Sequence, residues 1–114
     1  MALDLEIATP ETFDKLIDDP ARLVVAYFWG PDCPNCDVFA RDLPELLAET
    51  PAELVRMVKV NAYDFPELAR RFGIFGIPSF VLFRHGRKLG MMRQYHGRDY
   101  WKAVVMEQAH GVDA

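Results

Sequence analysis

Both cysteines of this chain lie two residues apart, within Tyr27-Phe28-Trp29-Gly30-Pro31-Asp32-Cys33-Pro34-Asn35-Cys36. What flanks them limits what the chain can fold into. An unbroken apolar run, Leu23 to Trp29, leads in, and an amphipathic pattern, Val38 to Ala48, leads away. This pattern predicts a strand, a turn and a helix, with the cysteines at the helix start. A Cys-x-x-Cys among alternating strands and helices is the signature of a dithiol redox site.

The place suits the chemistry. At a helix N-terminus several backbone N–H groups lack intrahelical partners, and the dipole end is positive. A thiolate there accepts those donors and is stabilised relative to a free thiol. Cys33 is predicted at the N-cap, Pro34 at the first helical position and Cys36 at the third. Proline fits there because that N–H would be orphaned in any case. Cys33 is therefore expected to face outward, with the N–H groups of Asn35 and Cys36 aimed at it. It is assigned as the attacking nucleophile and Cys36 as the resolving thiol.

Two plainer roles are open to such a pair. A structural zinc site needs four ligands. The chain has no further cysteine, and His85, His96 and His110 are scattered. A purely structural disulfide would close so short a loop that it adds little chain-entropy stabilisation.

At 114 residues the chain suits one domain, taken as 1–114, and 51% hydrophobic residues can build a core. With 26% charged residues and a net charge of −4, nothing points to nucleic acid or to an anionic membrane surface. The start, Met1-Ala2-Leu3-Asp4-Leu5-Glu6, lacks a basic region followed by an apolar run, so no signal peptide is expected. No apolar stretch approaches the roughly 18 residues of a membrane helix. The expected compartment is the cytoplasm, where a disulfide is usually transient and catalytic.

In chain order, Leu3, Leu5 and Ile7 alternate with acids as a half-buried strand. Thr9 is placed to cap a helix from Pro10 to about Asp18. Leu23–Trp29 is too continuous for an edge strand and should be central. The helix after Cys36 holds Pro44, which should kink or divide it. Leu54 to Val60 reads as a strand. Asp64 is placed to cap a helix from Pro66 to Phe72, ended by Gly73. A loop, Ile74 to Ser79, precedes a strand, Phe80 to Phe83, and a hairpin turn, Arg84 to Arg87. The partner strand runs from Lys88 to Gln94 or Tyr95, and Gly97-Arg98-Asp99 introduces the last helix. The order is βαβαβαββα, an α/β chain with parallel pairing at its first crossovers and an antiparallel final hairpin.

These residues resemble the thioredoxin family. Phe28 to Cys36 is similar to its Phe-Trp-Ala-x-x-Cys-Gly-Pro-Cys. Val58-Lys59-Val60-Asn61 is similar to the strand that carries its buried lysine. Phe72-Gly73-Ile74-Phe75-Gly76-Ile77-Pro78-Ser79 is similar to its Tyr-Gly-Ile-x-Gly-Ile-Pro-Thr. Phe83-Arg84-His85-Gly86 resembles its Phe-x-x-Gly hairpin, and Gly97 the glycine before its last helix. The resemblance implies the thioredoxin fold, a central mixed sheet flanked by helices. It implies a thiol–disulfide oxidoreductase that reduces protein disulfides as a monomer, is recycled by a separate reductase, and uses no cofactor or metal beyond Cys33 and Cys36. It also implies a cis bond at Pro78 facing the dithiol. Ile77 should expose its backbone to an extended substrate, and Trp29, His96 and Gly97 should border the site. Gly76 and Gly97 are expected either to allow close backbone approach or to serve simply as turn glycines.

The departures matter as much. The family's buried aspartate, which serves proton transfer to the resolving thiol, is Tyr27 here. Lys59 loses that partner, and a solvated charge is one role left open to it. Asp32 replaces the tryptophan before the first cysteine, and Asp37 the lysine after the second. Both oppose thiolate formation. Pro34-Asn35 replaces Gly-Pro. These changes leave open a second reading, a binding or assembly module with weak redox turnover. Arg84, His85, Arg87, Lys88 and Arg93 would give such a module a basic patch.

Overall fold

The computed structural model describes residues 3–110. Met1 and Ala2, the first positions read for a leader, and residues 111–114 lie outside it. The order is β1 (Leu5–Ile7), α1 (Phe13–Ile17), β2 (Leu23–Trp29), α2 (Pro34–Glu49), β3 (Val55–Asn61), α3 (Pro66–Arg71), β4 (Ser79–Arg84), β5 (Arg87–Met92) and α4 (Arg98–His110). The strands form one sheet, β1-β3-β2-β4-β5. β3 pairs in parallel with β1 and β2, while β4 is antiparallel to β2 and to β5. The sheet is mixed, and the apolar run is its middle strand.

Strand alternation divides the core in two. Val24, Ala26 and Phe28 of β2 face one cluster, with Phe13, Ile17, Leu68 and Phe83. Leu23, Val25 and Tyr27 face the other, with Phe39, Leu46, Phe80 and Trp101. β2 is buried from Leu23 to Phe28 because helices cover both of its faces.

Several local expectations change. Ile7, the last residue of β1, is 77% exposed, and the buried leucine of this segment is Leu3, ahead of the strand. The first helix begins at Phe13, not Pro10. The Thr9 carbonyl, rather than its hydroxyl, accepts the N–H groups of Thr12 and Phe13, leaving residues 10–12 as a turn. Asp64 does not cap α3. Asn61 Oδ1 instead accepts the N–H groups of Tyr63 and Asp64 and shapes that loop. Pro44 does not divide α2, which runs through it for 16 residues. β5 stops at Met92, short of Gln94. The hairpin turn is as expected: His85 and Gly86 both have positive φ (53° and 76°), the two-residue turn that suits strand twist.

Candidate active site

The site starts where β2 ends. The chain leaves the sheet at Trp29, passes Gly30 and Pro31, and turns at Asp32, whose φ is 54°. Cys33 caps α2 in extended conformation, and its Sγ accepts the Cys36 N–H at 3.1 Å. The Cys33 carbonyl takes the Asp37 N–H at 3.0 Å, the first bond of the helix. Cys33 and Cys36 are joined as a disulfide, with Cα atoms 5.2 Å apart. Cys33 is 8% exposed and Cys36 3%. Cys33 is thus less open than the sequence suggests, and the Cys36 N–H alone, not that of Asn35, is bonded to its sulfur among the described residues. The reason is the facing loop: the Ile77 carbonyl oxygen lies 3.7 Å from Cys33 Sγ.

That loop is held from below. The Ile77–Pro78 bond is cis, and Ser79 Oγ donates to the Gly76 carbonyl at 2.7 Å. Beside it, Asn35, Val38, Ile77, Pro78, Arg93, Gln94 and Tyr95 line a groove of about 280 Å³. The Tyr95 hydroxyl donates to Asp42 Oδ2 at 2.6 Å, tying the groove's far wall to α2. Burial, and then that carboxylate, push the Tyr95 phenol well above its ordinary pKa.

Tyr27, on β2 six residues before Cys33, is 3% exposed. Its ring stacks on Phe80 at 5.5 Å and meets the edge of Phe39 at 4.8 Å. Burial, helped by the Asp37 carboxylate, pushes its pKa up to about 12. Lys59 is its register neighbour on β3. Lys59 is not a free solvated charge: its Nζ sits 4.2 Å from the centre of the Trp29 ring, a cation–π contact.

The expected site residues therefore separate. Cys33, Cys36, Ile77 and Pro78 come together. Trp29 lies just before them but faces Lys59 and a depression shared with Ile7, Thr9 and Asp64. His96 and Gly97 line another depression with Asp42 and Asp99, and the His96 ring packs on Tyr100 at 5.2 Å. Gly76 and Gly97 do not provide close approach, since a Cβ on either would meet open space. Gly30 does: a Cβ there would lie 2.8 Å from Ile77 Cδ1 and 2.8 Å from Tyr63 Cε2. Sequence reasoning passed over Gly30 and Tyr63. The available signal was Gly30 itself, which stands where the resembling motif has alanine.

The basic patch holds in part: Arg84, His85, Arg87 and Lys88 line one depression at the hairpin, and Arg93 stands apart from it. Arg84 Nη2 donates to the carbonyls of Gln108 and Ala109, and Arg93, at the other end of β5, donates to the Gly73 carbonyl. Among the described residues no cluster of three or more His, Cys, Asp or Glu side chains could hold a metal. No described helix is long and apolar enough to cross a membrane.

Comparison with known proteins gives one family. The thioredoxin family model matches residues 4–107. The thioredoxin of Alicyclobacillus acidocaldarius is 34% identical over 99 residues, covering 87% of this chain and 92% of that protein. Human glutaredoxin-3 is 28% identical over 107 residues, 93% of this chain, which spans only 31% of that longer protein. The crystal structure of Malassezia sympodialis thioredoxin (Mala s 13) superposes with a TM-score of 0.83 at 19% identity, over 96% of this chain and 93% of that one, which gives the thioredoxin fold.

Proposed function

The chain belongs to the thioredoxin family, and from that premise we propose that it reduces protein disulfides with the Cys33/Cys36 dithiol, Cys33 attacking and Cys36 resolving. The observation that carries this reading is the capped sulfur: Cys33 Sγ takes the Cys36 N–H at 3.1 Å at the start of a 16-residue helix. Negative charge developing on that sulfur meets an oriented donor and the positive end of the helix.

The reaction balances on sulfur. The Cys33 thiolate attacks one sulfur of a substrate disulfide. The substrate S–S bond breaks, its other sulfur leaves as a thiolate, and Cys33 is joined to substrate. Cys36 loses its proton to solvent and attacks Cys33 Sγ, releasing the second substrate thiolate. Two electrons have passed to the substrate, and the protein is left as the Cys33–Cys36 disulfide. A separate reductase in the cytoplasm returns two electrons. No cofactor or metal enters, because the pair itself carries the electrons. The Ile77 carbonyl, 3.7 Å from the sulfur, supports an extended substrate segment lying across the Pro78 loop.

Dithiothreitol-driven reduction of a protein disulfide tests the assignment. Wild type should turn over. Cys33→Ser should be inactive, and Cys36→Ser should trap a mixed disulfide with substrate. Turnover by Cys33→Ser, or trapping through Cys36, would overturn these roles.

A further inference from the structure

The chain's charge is divided along its length. Residues 68–98 hold seven of its 13 Lys and Arg and none of its 17 Asp and Glu, although the whole chain carries −4. Within that stretch Arg71 pairs with Asp14 and Arg98 with Glu45, and Arg84 donates to carbonyls at the end of α4. Arg87 and Lys88 are exposed and take part in none of the ion pairs among the described residues. Asp18 approaches the turn at Gly86 but pairs with neither. With Arg84, His85 and Leu89 they line a depression of about 260 Å³.

These cations stand on an edge. β5 ends the strand order and pairs only with β4, so its outer N–H and C=O groups are left for an added strand. Arg87, Lys88 and Leu89 are all exposed, and a Cβ on Gly90 would meet nothing within 4 Å, so this end of the strand lies open. Strand alternation sets Arg87 and Leu89 on one face and Lys88 on the other.

Charge on an edge strand keeps copies of a protein from pairing edge to edge. Acids would serve that end on a chain of net charge −4. Cations alone, grouped about an exposed leucine and free backbone groups, suit a complementary strand as well. We propose that the β5 edge docks an extended acidic segment of a partner protein. The segment adds to the sheet beside β5, its carboxylates meet Arg87 and Lys88, and an apolar side chain covers Leu89. A second copy of this chain is the poorer occupant, because two β5 edges would set cations against cations. A nucleic acid would meet the cations but leave Leu89 and the backbone groups unmatched. β4 leaves the Pro78 loop at Ser79 and reaches Arg84 about 17 Å further on. A partner held at this end of the hairpin therefore leaves Cys33 uncovered, and docking needs no redox step.

The test uses the full chain and short end-blocked peptides, followed by amide chemical shifts. One peptide has glutamate pairs on both sides of a valine. A second has lysine for every glutamate. A third is the acidic peptide with every backbone nitrogen methylated, which keeps its charge and removes its strand donors. The acidic peptide should bind with shifts clustered at residues 87–90. The lysine peptide should bind about tenfold more weakly, and so should the methylated one. Arg87→Glu with Lys88→Glu, both at exposed positions, should reverse the preference between acidic and basic peptides. Failure of the acidic peptide to bind, or shifts elsewhere, would overturn the proposal. Equal binding of the methylated peptide would reduce the edge to a charged surface and also overturn it. So would tighter binding of a uridine oligonucleotide of equal charge, or shifts at 87–90 that grow with protein concentration alone, which would give the edge to a nucleic acid or to a second copy. Saturating acidic peptide should leave dithiothreitol-driven disulfide reduction unchanged within about twofold; a tenfold loss would place the segment over the dithiol instead.

Discussion

The resolving step should depend steeply on pH, because Tyr27, where the resembling family has a proton-accepting acid, cannot take a proton. With its pKa pushed to about 12 by burial, the Tyr27 phenol is ionised to roughly one part in a hundred thousand at pH 7. Cys36 must then reach its thiolate through solvent. Below the pKa of a thiol the reactive thiolate is the minor form, and its share grows close to tenfold with each pH unit. The perturbation to use is Tyr27→Phe, which keeps the ring between Phe39 and Phe80. Tyr27→Asp is a poorer probe. Losing a buried ring costs about 3–5 kcal/mol, and the new carboxylate would be buried beside a lysine already engaged with Trp29.

Single-turnover mixing with an excess of a small aromatic disulfide separates the steps. Attack by Cys33 releases one coloured thiolate at a rate that scales with reagent. Resolution by Cys36 releases a second at a rate that does not. The second rate should climb close to tenfold per pH unit from 6 to 8, and Tyr27→Phe should follow wild type within about threefold at each pH, as expected of a group outside the proton path. A flat second phase in wild type would show that a protein group takes the proton, with His96 or Asp37 the first to replace. A tenfold loss in Tyr27→Phe confined to that phase would make the neutral phenol a relay and refute the reasoning.

Other consequences follow from the same geometry. Limiting alkylation of the reduced protein should label Cys33 before Cys36, the two being 8% and 3% exposed, as read by peptide mass; the reverse order would exchange their roles. Gly30→Ala should lower the urea midpoint by the equivalent of about 1–3 kcal/mol, since its Cβ must displace Ile77 and Tyr63; an unchanged midpoint would mean that both side chains yield freely. Burial opposes ionisation of Asp19, but the N–H groups of Ala21 and Arg22 and the Arg22 guanidinium outweigh it and hold its pKa below the usual range. That stability is present above about pH 4 and lost as pH falls through the lowered native value, so urea midpoints of wild type and Asp19→Asn should differ at pH 7 and converge near pH 2. Tyr27 has the opposite sign: with its pKa raised from 10 to about 12, its stabilisation is complete below pH 10 and about 2–3 kcal/mol drains away by pH 12, a loss that Tyr27→Phe should lack.

What could be read from the sequence was local or strongly periodic. The apolar run announced the central strand because it needs two covered faces. Cys33 and Pro34 announced the helix start because capping is decided within four residues. The details that slipped depend on which of two near-equal local partners wins. Thr9 offered a hydroxyl and a carbonyl, and the carbonyl was used. Asp64 stood at capping distance from α3, yet no side chain caps that helix; Asn61 Oδ1 instead takes the N–H groups of Tyr63 and Asp64 and shapes the loop before it. The antiparallel pairing of β4 with β2 could not be read from either strand, since it depends on where the α3 crossover returns. Half of the site was hidden for a similar reason. Gly30 matters only because Tyr63 and Ile77, 33 and 47 positions further along the sequence, arrive at its bare Cα.

The exchange of a carboxylate for Tyr27 then has a physical sense beyond the loss of a base. Phe39 lies on α2, three residues after Cys36, and so one turn further along the face that meets the sheet. Tyr27 packs against Phe39 and Phe80, and Phe39 meets Trp101 of α4 at 5.9 Å and Tyr95 at 4.9 Å. The helix that carries the dithiol is thereby anchored to the sheet by aromatic contacts rather than by a buried ion pair. Such contacts keep their strength whichever way the sulfurs are charged, whereas a buried carboxylate must find a partner or a proton. Lys59, with no acid at Tyr27 to meet, turns to the face of Trp29. Tyr27 thus ties the frame of the site to the sheet through aromatic contacts, and the expected pH dependence of the second step follows from its phenol staying neutral far above neutral pH.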